Sequence, residues 1–283
     1  MSVLVWKLTP GNTSPTLTPV TLSQPAETLD ESSRLLPGGA YTTFRTYEGS
    51  KALCLGEHFR RLEETARLAG KSVQIDEGAL RAALRQILAQ ASPTSERRFR
   101  LTLDLENCPG VVYIASEPLM NLPPSAYQEG VRVITSNLQR QLPQAKLTRF
   151  IARAEPVRRS LPPGVHEAIM VTPDGRMLEG LSSNFFAVKN GELWTAQEGV
   201  LAGVTRSLVL ECAQRMNIPL RGEAIRVSDL PALEETFISS SSRGVLPVRQ
   251  IDEWVIGNGQ PGTLTRKLML AYQECIRERA EPI

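Results

Sequence analysis

Apolar and polar positions change period along this chain, and the changes mark out its elements. Residues 40–47 are dense in β-branched and aromatic side chains and predict a strand, which Glu48-Gly49-Ser50 turns into a second short one. Leu55, Phe59, Leu62 and Ala66 then recur at helical spacing as far as Gly70, a residue suited to closing a helix. A second amphipathic helix is expected over 79–91, stopped by Ser92-Pro93. Alternation over 98–104 predicts a half-buried strand, and another strand follows over 111–116. Residues 8–38, rich in Thr, Pro and Ser, predict an irregular lead-in with one strand at most.

Residues 121–130 carry two prolines and no period, and read as a linker between a smaller domain over 1–120 and a larger one over 131–283. Beyond the linker, strands are expected at 131–136, 167–172, 184–188, 192–195, 222–226, 235–239, 245–250 and 253–256. Helices are expected at about 150–161, 205–216 and 264–276. Strands outnumber helices here and do not alternate with them. That argues against a doubly wound parallel sheet and for an α+β pair of domains. Gly257-Asn258-Gly259-Gln260-Pro261-Gly262 has the spacing of a dinucleotide-binding loop, but only one helix follows it, so it reads as a turn.

Composition narrows the function classes. Hydrophobic residues make up 41% and charged residues 22%, and 32 basic against 30 acidic side chains leave a net charge of +2. No strong field draws nucleic acid or a membrane surface, and no apolar run approaches the roughly 20 residues that span a bilayer. Met1-Ser2-Val3-Leu4-Val5-Trp6-Lys7 has neither the basic leader nor the apolar length of a signal peptide. The scattered cysteines Cys54, Cys108, Cys212 and Cys275 read as reduced thiols of a cytoplasmic protein. Without a secretory signal, the Asn12-Thr13-Ser14 glycosylation pattern carries no weight. No metal ligand set is expected.

The chemistry lies in the order of several segments. His58-Phe59-Arg60-Arg61-Leu62 comes first, then Lys146 and Glu167. Glu179-Gly180-Leu181-Ser182-Ser183-Asn184-Phe185-Phe186, Gly203-Val204-Thr205-Arg206 and Ser239-Ser240-Ser241-Ser242-Arg243-Gly244-Val245-Leu246-Pro247-Val248 follow. Over about 41–270, this series resembles the class IV (fold type IV) pyridoxal-phosphate enzymes: branched-chain aminotransferases, D-amino-acid aminotransferases and aminodeoxychorismate lyases. The resemblance implies a two-domain α+β fold of type IV with pyridoxal 5'-phosphate in the interdomain cleft, and a homodimer. Such a cofactor needs a lysine, a partner for its pyridine nitrogen, a phosphate cradle and a pocket for the substrate carboxylate.

The resemblance assigns Lys146 as the Schiff-base lysine and Glu179 as the partner of the ring nitrogen. Arg61 is implied as the phosphate arginine, joined by Val204 and Thr205, where a loop enters a helix whose free amides attract an anion, and by Ser241 and Ser242 of a second loop. Arg60 reads as solvated and His58 as structural. Where relatives carry an asparagine or an asparagine-tyrosine pair after the lysine, this chain has Arg149 and Phe150, with Thr148 as a substitute partner for the ring hydroxyl. Tyr41-Thr42-Thr43-Phe44-Arg45 is similar to the Phe-Thr-Thr-Ala-Arg run of the lyases, in which the second threonine helps protonate the product; Thr43 takes that place. Tyr41, Arg45 and Arg100 are the implied substrate contacts. Arg243 is open between a substrate contact and an ion pair. The D-amino-acid enzymes have Thr-Arg-Gly where this chain has Thr102-Leu103-Asp104, which disfavours that activity.

Read without the others, Lys146 is a surface lysine, Glu179 a hairpin carboxylate after Asp174-Gly175, and Thr205 a plain helix cap. Their joint order favours the chemical roles. The expected reaction moves an amino group between an amino acid and a 2-oxo acid, as in branched-chain aminotransferases. The alternative is release of pyruvate and 4-aminobenzoate from 4-amino-4-deoxychorismate. A third reading, a non-catalytic descendant of the fold, is opposed by the retention of Lys146, Glu179 and Arg61 together.

Overall fold

The computed structural model describes residues 2–11, 14–90 and 95–283. Asn12-Thr13 of the glycosylation pattern and the expected helix stop at Ala91-Ser92-Pro93 lie outside the described residues. The chain forms two compact units. One comprises Met1–Met120, Ala145–Arg153 and Arg279–Ile283, and the other Asn121–Gln144 and Ala154–Glu278. Lys146, which the sequence assigns to the second half, therefore packs with the first unit. Among the described residues, no helix is long and apolar enough to cross a membrane.

The first unit begins with β1 (Leu4–Thr9), β2 (Thr16–Pro19) and α1 (Leu29–Arg34), a strand pair and a helix where mostly irregular chain was expected. β3 (Gly39–Tyr47) and β4 (Lys51–Leu53) match the predicted hairpin. α2 (Leu55–Leu68) buries the stripe Leu55, Phe59, Leu62 and Ala66, and gives way to Gly70, whose φ of +77° favours a residue without Cβ. α3 (Glu77–Leu88) starts at Asp76, whose carboxylate accepts the Ala79 amide at 2.9 Å, a cap worth about 1 kcal/mol. β5 (Arg97–Asp104) and β6 (Val112–Pro118) complete this stretch. β5 was expected to be half-buried, yet everything from Phe99 to Asp104 is buried. One face (Phe99, Leu101, Leu103) packs in a core with residues of α2 and α3, while Arg100 on the other reaches the backbone of α1.

The second unit opens with α4 (Pro124–Gln128), a short helix inside the expected linker, then β7 (Val131–Ser136). α5 (Arg149–Arg159) begins in the Ala145–Arg153 segment. β8 (Val165–Val171), β9 (Met177–Gly180), β10 (Asn184–Lys189) and β11 (Glu192–Trp194) follow, then α6 (Val204–Arg215), β12 (Leu220–Arg221), β13 (Glu235–Ser240), β14 (Gly244–Ile251), β15 (Trp254–Val255) and α7 (Thr263–Arg279). The strand expected at 222–226 is a correction. The ladder ends at Arg221, and the next residues make single contacts, Met177 N to Ile225 O and an isolated bridge between Arg176 and Arg226, before a 3₁₀ turn. The glycine-rich 257–262 segment is a turn, as expected.

β14, β7 and β8 run parallel, and antiparallel pairs continue from β8 to β9 and from β14 through β13 to β10. The single pair Asn184–Glu179 joins β10 back to β9 and closes the ring of strands into a barrel. Edges are thereby removed, and Val133, Ile169, Phe185, Ile238 and Leu246 fill one contiguous core. Finally β16 (Ala280–Pro282) pairs with β4 and edges the first unit's seven-stranded sheet, ordered β16-β4-β3-β5-β6-β1-β2.

Candidate active site

In the first unit, residues 146–148 lie along the start of β3. Tyr41 N donates to Lys146 O at 2.8 Å and Thr148 N to Gly39 O at 3.0 Å, while Lys146 N donates to Thr65 Oγ1 of α2 at 3.2 Å. Backbone bonds on both sides thus fix where the lysine leaves the chain. Lys146 is half-buried, and its Nζ sits 4.9 Å from the centroid of the buried Tyr41 ring. Thr148 Oγ1 accepts the Gly39 amide at 2.9 Å, which leaves its hydroxyl proton free to be donated elsewhere.

Alternation along β3 sends Thr42 to the helix side and Tyr41, Thr43 and Arg45 to the other. Thr42 Oγ1 is 2.7 Å from Nδ1 of His58, which is buried on α2. Burial, then the positive charges of Arg61 and Lys146, pushes the His58 pKa down to about 3, so this imidazole is neutral. Arg61 is half-buried on α2, one turn on from His58.

Thr43 and Arg100 stand opposite each other in the β3–β5 ladder, and Arg100 Nε donates to Thr43 Oγ1 at 3.1 Å. Arg100 also bonds the Leu29 carbonyl at 2.9 Å and Ser33 Oγ at 2.8 Å, pairs with Asp30 at 2.8 Å, and covers the Tyr41 ring at 4.9 Å. Tyr41, Thr43, Arg100 and Lys146 therefore share one face. Arg45 is engaged elsewhere: its guanidinium lies over Tyr47 at 4.8 Å and its Nε donates to Thr46 O.

In the second unit, Glu179 is buried at the pair that closes the barrel. Its Oε2 accepts Asn184 Nδ2 at 3.0 Å and the Leu201 amide at 3.1 Å. Its Oε1 meets Arg140 Nε at 2.9 Å, with both side chains almost fully buried (4% and 2% exposed). Arg140 is the residue that sequence reasoning missed; it lies in an aperiodic stretch, and its only signal is proximity to Lys146 in sequence. Two hydrogen-bond donors and the guanidinium charge of Arg140 surround this buried carboxylate, and breaking such a pair is far costlier than keeping it.

α6 starts at Gly203, where an added Cβ would lie 2.1 Å from Asn184 Oδ1. Among the described residues no side chain caps this end, so the first-turn amides of Val204 and Thr205 remain available to an anion. Thr205 Oγ1 lies 3.5 Å from Ser241 Oγ, in the turn between β13 and β14 that also holds Ser242 and Arg243. Amides at a helix start and serine hydroxyls make a donor set for a phosphate. The half-buried Lys146 and the buried, charge-paired Glu179 match the other needs of pyridoxal phosphate, so the residues present fit that group. Arg243 points instead at Ser240, His166, Glu167 and Ser182.

Comparisons agree with this chemistry. The family model described as amino-transferase class IV matches residues 39–251. A probable branched-chain-amino-acid aminotransferase of Thermotoga maritima is 29% identical over 251 residues, covering 84% of this chain and 86% of its own. The crystal structure of the T.th. branched-chain amino acid aminotransferase with pyridoxamine 5'-phosphate superposes with a TM-score of 0.78 at 21% identity, covering 99% of this chain and 95% of that one. The 4-amino-4-deoxychorismate lyase of Pseudomonas aeruginosa gives 0.69 at 26% identity, covering 85% and 90%.

Proposed function

Because the chain belongs to the class IV aminotransferases, whose cofactor is pyridoxal 5'-phosphate, we propose that it moves an amino group from an amino acid to a 2-oxo acid with Lys146 as the catalytic lysine. The observation that carries this reading is Glu179, which is buried, ion-paired to Arg140 and held by Asn184 and the Leu201 amide. When bound, the cofactor supplies an electron sink for the bond-breaking at the substrate Cα.

The protein's own residues do the rest. Lys146 holds the cofactor and, once freed by the incoming amine, carries the Cα proton as general base. Glu179 keeps a negative charge against the ring nitrogen, and Arg140 with Asn184 holds that carboxylate in one orientation. The α6 amides, Thr205, Ser241, Ser242 and Arg61 take the phosphate. Tyr41 lines the pocket beside Lys146. Amino acids of the branched-chain type and their 2-oxo acids are the substrates of this reading, and a homodimer in the cytoplasm is its setting.

One observation favours the lyase as a second reading. Arg100 Nε–H fills an acceptor site of Thr43 Oγ1, so the Thr43 hydroxyl must donate its own proton elsewhere, as a proton-delivering residue would.

Borohydride reduction of protein loaded with pyridoxal phosphate, followed by peptide mapping, should tag Lys146 alone. A donor screen against 2-oxoglutarate and pyruvate, run beside a 4-amino-4-deoxychorismate assay, then separates the two activities. A label on another lysine would overturn the reading. Pyruvate release by the wild type that falls about 10²–10⁴-fold in Thr43→Ala would replace transamination by elimination.

A further inference from the structure

Arg243 occupies the turn between β13 and β14, yet its guanidinium is directed into the protein. Nε donates to Ser240 Oγ at 3.0 Å, and one terminal nitrogen sits 2.9 Å from His166 Nε2. The other terminal nitrogen bonds Ser182 Oγ at 2.9 Å, the Ser182 carbonyl at 3.3 Å and Glu167 Oε2 at 3.3 Å. Three chain segments thus converge on one side chain: the Ser240–Gly244 turn, the Ser182–Ser183 loop that leads into β10, and β8.

Glu167 is the anchor beneath them. It is buried, and it accepts the Ser182 amide at 2.6 Å, Ser182 Oγ at 2.8 Å and Ser183 Oγ at 2.7 Å. Arg243 is its counter-charge. The backbone of the turn is held as well, because Tyr127 of α4 donates its hydroxyl to Arg243 O at 3.0 Å. The residue after Ser183 is Asn184, which bonds Glu179.

From this geometry we infer that Arg243 is a positioning residue that fixes the turn bearing Ser241 and Ser242 against the loop bearing Asn184, and so sets the spacing between phosphate donors and Glu179. The inference rests on the proposed cofactor chemistry and adds to it a specific brace between the two ends of the cofactor's seat in this unit. The guanidinium is the right group for the task, since it can bond several segments at once in a fixed fork. An ammonium at the same place would keep the charge facing Glu167 but could not span Ser240, His166 and Ser182 together.

The test compares wild type, Arg243→Lys and Arg243→Ala. In the cofactor-free proteins, hydrogen exchange should show residues 181–184 and 240–244 losing protection together in Arg243→Ala, with the rest of the barrel unchanged. Equilibrium dialysis with pyridoxal phosphate should show affinity falling about ten- to a hundredfold in Arg243→Ala. Arg243→Lys, which keeps the buried charge balanced and the fold intact, should fall between the two. In steady state, kcat should drop while the KM of the amino donor stays within about threefold. Should Arg243→Ala fail to fold, Ser182→Ala cuts the same brace from the other side and should reproduce the joint loss of protection. A donor KM raised tenfold or more with unchanged cofactor affinity would make Arg243 a substrate contact and overturn the inference. So would exchange confined to the turn, or cofactor affinity unchanged in both Arg243 variants. If the wild type itself fails to hold the cofactor on Lys146, the proposed function falls, while the exchange experiment still decides the brace.

Discussion

His58 shows how much a single neutral side chain contributes to pH dependence. The unfolded chain takes up a proton near the ordinary value of 6.5, whereas the folded protein refuses it until about 3. A histidine depressed in this way leaves stability whole above the unfolded pKa and erodes it as pH falls through that window, at about 1.4 kcal/mol per pH unit. Melting temperature should therefore drop between pH 6.5 and 4, and drop less in His58→Gln; parallel curves for the two proteins would contradict the assignment. Thiol chemistry gives a second check. Burial first, then contact with Cys275 Sγ at 3.3 Å, raises the Cys212 thiol to about 12, while Cys108 is exposed. An alkylating reagent at neutral pH should label Cys108 and spare Cys212 until the protein unfolds; early labelling of Cys212 on a peptide map would refute this. At this scale the sequence named Glu179 and Asn184, which the fold does pair, because they sit in one recognisable run. It did not name Arg140 or Asp30, the partners of Glu179 and Arg100. A lone charge in an aperiodic stretch carries no signal of the group it will face across the fold.

Among elements, those with a long period were legible and those set by contacts were not. α2, β3 and β5 follow from apolar spacing, although β5 looked half-buried because Arg100, Thr102 and Asp104 are polar residues buried by specific bonds. α1, β9 and β16 are a turn or a strand too short for any period to appear; α1 and β16 are held by neighbours distant in sequence, and β9 by the strands on either side of it. The start of α6 shows the same dependence. Asn184, Gly203 and Leu201 meet so closely that Gly203→Ala would press a methyl against Asn184 Oδ1, whose side chain is already committed to Glu179 and the Leu201 carbonyl. The substitution should cost about 1–3 kcal/mol by overpacking and weaken cofactor binding in the same measurement. Thermal melts and a cofactor titration would show it; unchanged values in both would mean that the asparagine yields freely.

For the whole molecule, the sequence placed a boundary near residue 120 but could not show that the first unit draws on three separate stretches of chain. The last of these stretches is small and well anchored. Ile283 is buried in the first unit's core, its amide donates to Ser50 O at 3.1 Å and its carbonyl accepts Arg85 at 3.2 Å, while Glu281 pairs with Arg81 at 3.0 Å. Removing residues 279–283 should destabilise that unit by about 1.5–3 kcal/mol from the isoleucine alone, seen as an earlier denaturation midpoint; an unchanged midpoint would show the strand to be dispensable. The discontinuity also governs the order in which the protein can be completed during synthesis. A ribosome has delivered the whole barrel before it delivers the strand that edges the other sheet, and the lysine segment emerges partway through the barrel, after β7 and before β8. For the same reason neither unit is a cassette: a gene fusion cut at residue 120 would separate the first sheet from its edge strand and from the lysine that lies along β3.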